Sequence, residues 1–198
     1  MSQTTRDKLI TAANRLFYEH GFHATGLDQI IDEVGVSKTA FYKHFESKDD
    51  LAIAVLQERD KQETAEWIGI MKDRGRGDPC AEIMALFDLL EEWLDRPDFK
   101  GCMFLKAASE YPSPSDPVHQ AAMVHGQNLF RELELRATRG GAADPKALAS
   151  QLMLVLTGAI LARHETGKPD RARSARAAAA MLVAAHTGGG ARAGATRA

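Results

Sequence analysis

Lys38, Thr39, Tyr42, Lys43 and His44 lie within seven consecutive residues, inside the stretch GVSKTAFYKHF that runs from Gly35 to Phe45. Ammonium, imidazole, phenol and hydroxyl groups this close together suit an anionic or hydrogen-bonding partner. Phe41 and Phe45 are four residues apart and share one face of a helix, pointing inward with Val36 and Ile30, so the polar groups lie off that face. Thr39 and Ala40 are small enough for a helix start to approach base edges. Thr39 can donate or accept a hydrogen bond, and either methyl can meet thymine. Tyr42, Lys43 and His44 are long enough to reach phosphate oxygens. Lys48 adds a cation beside the unpaired N–H groups at the start of the next helix, which themselves favour phosphate. Other reactive residues do not assemble. His164-Glu165 with His186, or Glu91 and Glu92 with Asp95, are conceivable acid–base pairs, but no nucleophile, orienting group or cofactor loop accompanies them. No catalytic residue, cofactor or metal ligand is therefore assigned, and an enzyme is not expected. Cys80 and Cys102 match no zinc-site spacing, and the apolar neighbours of Cys102 argue for a buried, inert thiol.

The elements that must carry these groups are helical. Almost nowhere do apolar residues alternate; they recur at three and four, and the chain is expected to be all-α with about nine helices. The first spans about Thr5 to His20, with Leu9, Ala13, Leu16 and Phe17 on one stripe and Gly21 as terminator. Thr25 with Asp28 offers an N-cap for a short second helix ending near Val34. Ser37 caps a third, about Lys38 to Phe45, and Ser47 with Asp50 caps a longer fourth to about Lys72. Further helices are expected at about Cys80 to Asp95, Gly101 to Glu110, Val118 to Thr138 and Lys146 to His164. A last, alanine-rich helix follows the break at Gly167 to Pro169. YPSPSDP at 111–117 is too rich in proline for helix.

Of the 198 residues, 44% are hydrophobic and 26% charged, ordinary for a globular chain. No run of about 18 apolar residues appears, so no membrane span or membrane partner is expected. The N-terminus lacks an apolar signal stretch, and two cysteines suit a reduced, cytoplasmic setting. Net charge is −2, and the first 50 residues hold six Lys and Arg against eight Asp and Glu. Any basic footprint must therefore be local.

Three short helices in 45 residues, the last two joined by a glycine-bearing turn, make a helix-turn-helix whose third helix can enter a major groove. Residues 6–56 resemble the DNA-binding domain of TetR-family transcriptional repressors (TetR/AcrR type). The likeness runs through Ala12/Ala13, Leu16, Phe17, Gly21-Phe22, Ala24-Thr25, Ile30, Gly35-Val36-Ser37, Phe41-Tyr42, His44-Phe45, Ser47-Lys48 and Leu51. Carried over by position, it implies base contacts from Lys38, Thr39, Ala40 and Lys43, and phosphate contacts from Thr25, Tyr42, His44 and Lys48; Ser37 completes the DNA-side set. Gly26 and Ile31 depart from the family pattern, away from the reading face.

Beyond residue 56 the resemblance is architectural. It implies a DNA-binding domain at 1–47 and a helical effector-binding and dimerisation domain at 48–187; the tail at 188–198 has no apolar periodicity and is expected to be disordered. The last two long helices would form a four-helix bundle with those of a second copy. Leu148, Leu152, Val155, Leu156 and Ala159 on one, and Ala175, Ala179, Leu182 and Val183 on the other, are the expected interface. The middle helices would enclose a pocket for a hydrophobic or aromatic small molecule. Its candidate lining is Trp67, Met71, Phe87, Trp93, Met103, Phe104, Met123 and Phe130, with His119, His125 and His164 as possible polar contacts. The implied whole is a homodimeric repressor on a palindromic duplex operator, acting at the nucleoid in the cytoplasm and released by its effector. The alternative is a helix-turn-helix regulator without a ligand, controlled by a partner or acting as an activator.

Overall fold

The computed structural model describes residues 4–167 and 170–188. Among these, nine α-helices and no strand occur: α1 (Thr5–His20), α2 (Leu27–Val34), α3 (Lys38–Tyr42), α4 (Lys48–Gly75), α5 (Pro79–Leu94), α6 (Met103–Glu110), α7 (Pro117–Arg139), α8 (Pro145–Thr166) and α9 (Arg171–Thr187). The tail expected to be disordered lies, after Gly188, outside the described residues.

Local chemistry sets most boundaries. Thr4 opens α1 with a reciprocal cap: its hydroxyl accepts the Asp7 N–H at 3.2 Å and the Asp7 carboxylate accepts the Thr4 N–H at 3.2 Å. Asp78 and Asp144 cap α5 and α8, each with proline at the first helical position, where the missing N–H is not needed. The start of α2 differs from expectation. Its N-cap is Gly26 with no side-chain bond, because the Thr25 hydroxyl donates instead to the Gly21 carbonyl at 2.7 Å. The third helix is also shorter than its spacing predicts, stopping at Tyr42 as the His44 and Phe45 N–H groups both turn back onto the Phe41 carbonyl.

The chain forms two compact units, Met1–Glu63 with Cys102–Gly126 and Thr64–Gly101 with Gln127–Ala198. This partition differs from a boundary at residue 47. Helices α4 and α7 each contribute to both units.

In the first unit, α1 to α3, the first half of α4, α6 and the start of α7 share one core. Phe17, Phe22, Ile30, Phe41, Leu51 and Leu56 are fully buried in it, and Phe17 stacks on Phe22 with ring centres 4.6 Å apart.

In the second unit α5 packs against α8 and α9, with Phe87, Leu90, Leu148, Leu152 and Ala179 all at 0% exposure. Glu82 and Arg136 are buried here as an ion pair at 2.9 Å. Glu82 sits against Gly75, where a Cβ would come within 2.6 Å of the Glu82 backbone nitrogen, so only glycine fits.

Helix α8 holds an 18-residue window of mean hydropathy 1.4, long and apolar enough to cross a membrane by length and composition alone. No unbroken apolar run marks it in the sequence, because Ser150, Gln151 and Thr157 interrupt the run without adding charge.

Candidate nucleic-acid interface

Helices α1 to α3, the head of the chain, are assembled around a turn only glycine makes cheaply. Gly35 adopts φ 72° and ψ 38°, and its N–H and that of Val36 return to carbonyls at the end of α2. Ser37 then caps α3 by accepting the Ala40 N–H at 3.1 Å. Beneath this helix Phe41 is fully buried and Phe45 nearly so, their ring centres 5.7 Å apart. Tyr42 stands edge-on to Phe41 and remains 55% exposed. Lys38, Thr39, Lys43 and His44 are exposed, and Ala40 is half-buried. The segregation expected from the spacing is thus present, with a cationic and aromatic surface over a phenylalanine floor.

Two residues expected on that surface have other roles. Thr25 is 0% exposed, and its hydroxyl latches α2 to the carbonyl ends of α1, so its side chain offers nothing to a phosphate. Lys48 is half-buried, and its ammonium donates to the carbonyls of Phe22 (2.6 Å) and Thr25 (2.9 Å). Two of its three N–H groups therefore hold the α1–α2 turn against the start of α4.

Charge at the head is locally paired. Lys38 meets Asp28 of α2 at 2.8 Å, which raises the lysine pKa, and Arg15 is held by Glu19 and Glu33. One cation outside the motif's own spacing joins the head. Arg6, exposed on the first turn of α1, lies over the Phe45 ring at 5.3 Å. Only a contact between residues 39 positions apart reveals it.

Helix α6 clamps the head within the same unit. The Glu110 carboxylate accepts the N–H groups of Phe22 (3.0 Å) and His23 (2.6 Å), and Lys106 donates to the Tyr18 carbonyl at 2.8 Å. The Tyr111 hydroxyl donates to Asp49 at 2.7 Å; burial, and then this bond, push its phenol above the ordinary range. Gly21, at φ 93°, leaves room for Glu110: a Cβ there would stand 2.7 Å from its Oε1. No local pattern announces these bonds, which join residues 62 to 88 apart in the chain.

The residues expected to line an effector pocket divide between the units. Met103, Phe104 and Met123 belong to the first, and Trp67, Met71, Phe87, Trp93 and Phe130 to the second. Met71, Phe87 and Met103 are core, while Met123 is 42% exposed. Trp67, Trp93 and Phe99 form an edge-to-face cluster with ring centres 6.1 and 5.0 Å apart, and the Arg163 guanidinium lies over Phe99. His125 stacks on Phe104 and places Nδ1 2.9 Å from Asp60. His119 faces the Tyr111 carbonyl, and His164 is exposed. Burial pushes the Cys102 thiol up, away from thiolate. Of the conceivable acid–base groups, His186 pairs with Gln151 and Glu92 with Arg74, while Glu165 is exposed.

Most of the residues expected at a dimer interface are buried within the chain itself. Leu148, Leu152 and Ala179 have no exposed surface, and Leu156, Ala159, Ala175 and Val183 have at most 7%. They join α8 to its neighbours inside the second unit. Val155 and Leu182 are half-buried, and the large apolar side chains left in the open on these two helices are Leu154 (71%), Leu161 (53%) and Met181 (73%).

Comparison with known proteins agrees with this anatomy. A family model described as "Bacterial regulatory proteins, tetR family" matches residues 9–55, and one described as "Tetracyclin repressor-like, C-terminal domain" matches residues 79–179. The crystal structure of a TetR-family transcriptional regulator from Streptomyces coelicolor is 27% identical with a TM-score of 0.84, covering 92% of this chain and 95% of that one. A TetR transcriptional regulator from Streptomyces avermitilis is 32% identical with a TM-score of 0.79, covering 89% of this chain and 98% of the other. A stretch of 52 residues is 50% identical to the HTH-type transcriptional activator FasR of Mycolicibacterium smegmatis. That match spans 26% of this chain and 24% of the activator.

Proposed function

The chain belongs to the TetR family of DNA-binding transcriptional regulators, and from that premise we propose that it is a homodimeric repressor released from a palindromic operator by a small hydrophobic or aromatic effector. The observation that carries the reading is the outward set Lys38, Thr39, Tyr42, Lys43 and His44, exposed over buried Phe41 and Phe45. Residues 1–47 read the duplex, and the helices over 48–187 bind effector and partner. Thr39 and Ala40 face base edges. Tyr42, Lys43 and His44 hold phosphates, and Arg6 extends that grip from α1.

So short a reading helix needs a second copy to gain affinity and span. In a two-fold dimer the two heads meet half-sites about 34–36 Å apart, or a multiple of that. The reading is supported by an exposed stripe of Leu154, Gly158 and Leu161 on α8 beside Met181 on α9, at spacings that share a helical face and with a glycine that permits close approach. The effector site draws on the Trp67–Trp93–Phe99 cluster, whose ring faces suit a planar apolar molecule. The effector acts through its differential affinity for two dimer geometries, only one of which matches the operator. Helix α4, continuous through both units, transmits the difference. The protein works on DNA in the cytoplasm. The likeness of a 52-residue stretch to a helix-turn-helix activator favours one second reading, in which the same contacts activate rather than repress.

Selection of bound sequences from random duplex DNA by the purified protein tests this. Two inverted half-sites at a fixed spacing are expected; a lone half-site removes the dimeric reading, and no enriched sequence removes the operator. Release of the selected duplex by a planar aromatic compound, tracked with quenching of Trp67 and Trp93 (the protein's only two tryptophans), tests the effector.

A further inference from the structure

Asp28 and Lys38 face one another across the two helices of the reading motif. The ammonium stands 2.8 Å from the carboxylate, and both side chains are largely exposed, at 68% and 60%. Asp32, one turn further along α2, adds to the negative field around Lys38. An exposed pair of this kind contributes little to stability, because solvent screens it. Its consequence lies in what Lys38 is free to touch. Lys43, at the end of the same short helix, has no ion-pair partner among the described residues. The head therefore carries one tethered cation and one untethered cation on its reading helix. Phosphate binding by lysine is insensitive to sequence and dominates non-specific affinity, whereas base-edge contacts set discrimination.

We infer that Asp28 is a positioning residue for sequence reading: it holds the Lys38 ammonium beside the start of α3 and withholds that cation from sequence-independent phosphate contacts. For Lys38 to grip a phosphate it must leave Asp28, and Asp28 would then stand as a bare anion beside the DNA backbone. Both effects weaken binding to arbitrary duplex. On an operator, a base-edge acceptor can share the ammonium without breaking the tether, because lysine has three N–H donors. Asp28 thus widens the gap between specific and random DNA. The inference rests on the head binding DNA, and its test separates failure of the one from failure of the other.

The test compares the wild type with Asp28→Asn, Asp28→Glu, Lys38→Met and the double variant Asp28→Asn/Lys38→Met. Dissociation constants are measured for a random-sequence duplex and for the selected operator between 50 and 200 mM salt. Asp28→Asn is expected to tighten random-duplex binding and to steepen its log–log salt slope by about 0.9 per subunit, which over that salt range is roughly a threefold effect for each additional phosphate neutralised. The ratio of operator to random affinity falls, and Asp28→Glu restores the wild-type slope. In the Lys38→Met background the same change produces a smaller effect. Equal effects in both backgrounds overturn the inference, since Asp28 would then act only as a repelling charge. An unchanged slope in Asp28→Asn overturns it as well. A wild type that binds neither duplex overturns the DNA reading, and the inference with it.

Discussion

In the reading head and in the α8–α9 pair, apolar residues recur at the same helical spacing, yet they end in different places. In the head, Phe41 and Phe45 are buried while their neighbours Tyr42, Lys43 and His44 are exposed, so residue type alone sorts inside from outside. On α8, Leu152 is fully buried and Leu154, two residues on, is 71% exposed. Both are leucine. Periodicity says which residues share a face, but it does not say what covers that face. Where polar and apolar types alternate around the helix, the pattern is self-interpreting. Where apolar residues occupy more than one face, core and interface look alike.

The largest effects should come from the buried half of each comparison. Phe41→Ala is expected to cost about 3–5 kcal/mol and Leu152→Ala about 2–5 kcal/mol in denaturant unfolding, since each leaves a cavity in a core that cannot fully close. A near-neutral Leu152→Ala would mean that α8 is covered differently from the packing described.

The exposed leucine is the counterpart. Leu154→Glu should leave far-ultraviolet circular dichroism intact and convert the particle to monomer by light scattering at micromolar concentration, because a charge buried without a partner opposes association. A persistent dimer would place the interface elsewhere.

Thr25 and Tyr42 make a finer pair within the head. Thr25→Val should cost about 1–3 kcal/mol through the lost buried hydrogen bond and leave the operator affinity of the folded protein unaltered. Tyr42→Ala should do the reverse, weakening binding through a lost phosphate contact at unchanged stability. If Thr25→Val weakens binding with no loss of stability, the buried role assigned to Thr25 is wrong.

The smallest expected effect concerns pH. Tyr111 has its phenol pKa raised by burial and by Asp49. Its neutral form is therefore favoured by folding. The associated stability is complete below the unfolded value of about 10 and falls as the pH rises beyond it. Unfolding midpoints of wild type and Tyr111→Phe should run parallel from pH 7 to 9 and converge or cross above about pH 10. Parallel curves through pH 11 would argue that neither burial nor Asp49 holds the Tyr111 phenol neutral in the folded protein.

The amino-acid order alone determined the all-helical class, most helix limits, the turn at Gly35 and the outward face of α3. Each follows from spacing, capping chemistry or backbone freedom acting within a few residues. Tertiary structure decided the rest. It turned Thr25 and Lys48 into struts, because only the folded α1–α2 turn presents the carbonyls they bind. It set Arg6 over Phe45, tied Lys38 to Asp28, and brought Glu110 and Tyr111 to the head from more than 60 residues away. It also chose, among chemically equivalent leucines and alanines, which hold the chain together and which stand open. Such choices depend on what a side chain meets across space, and a helical period carries no record of that.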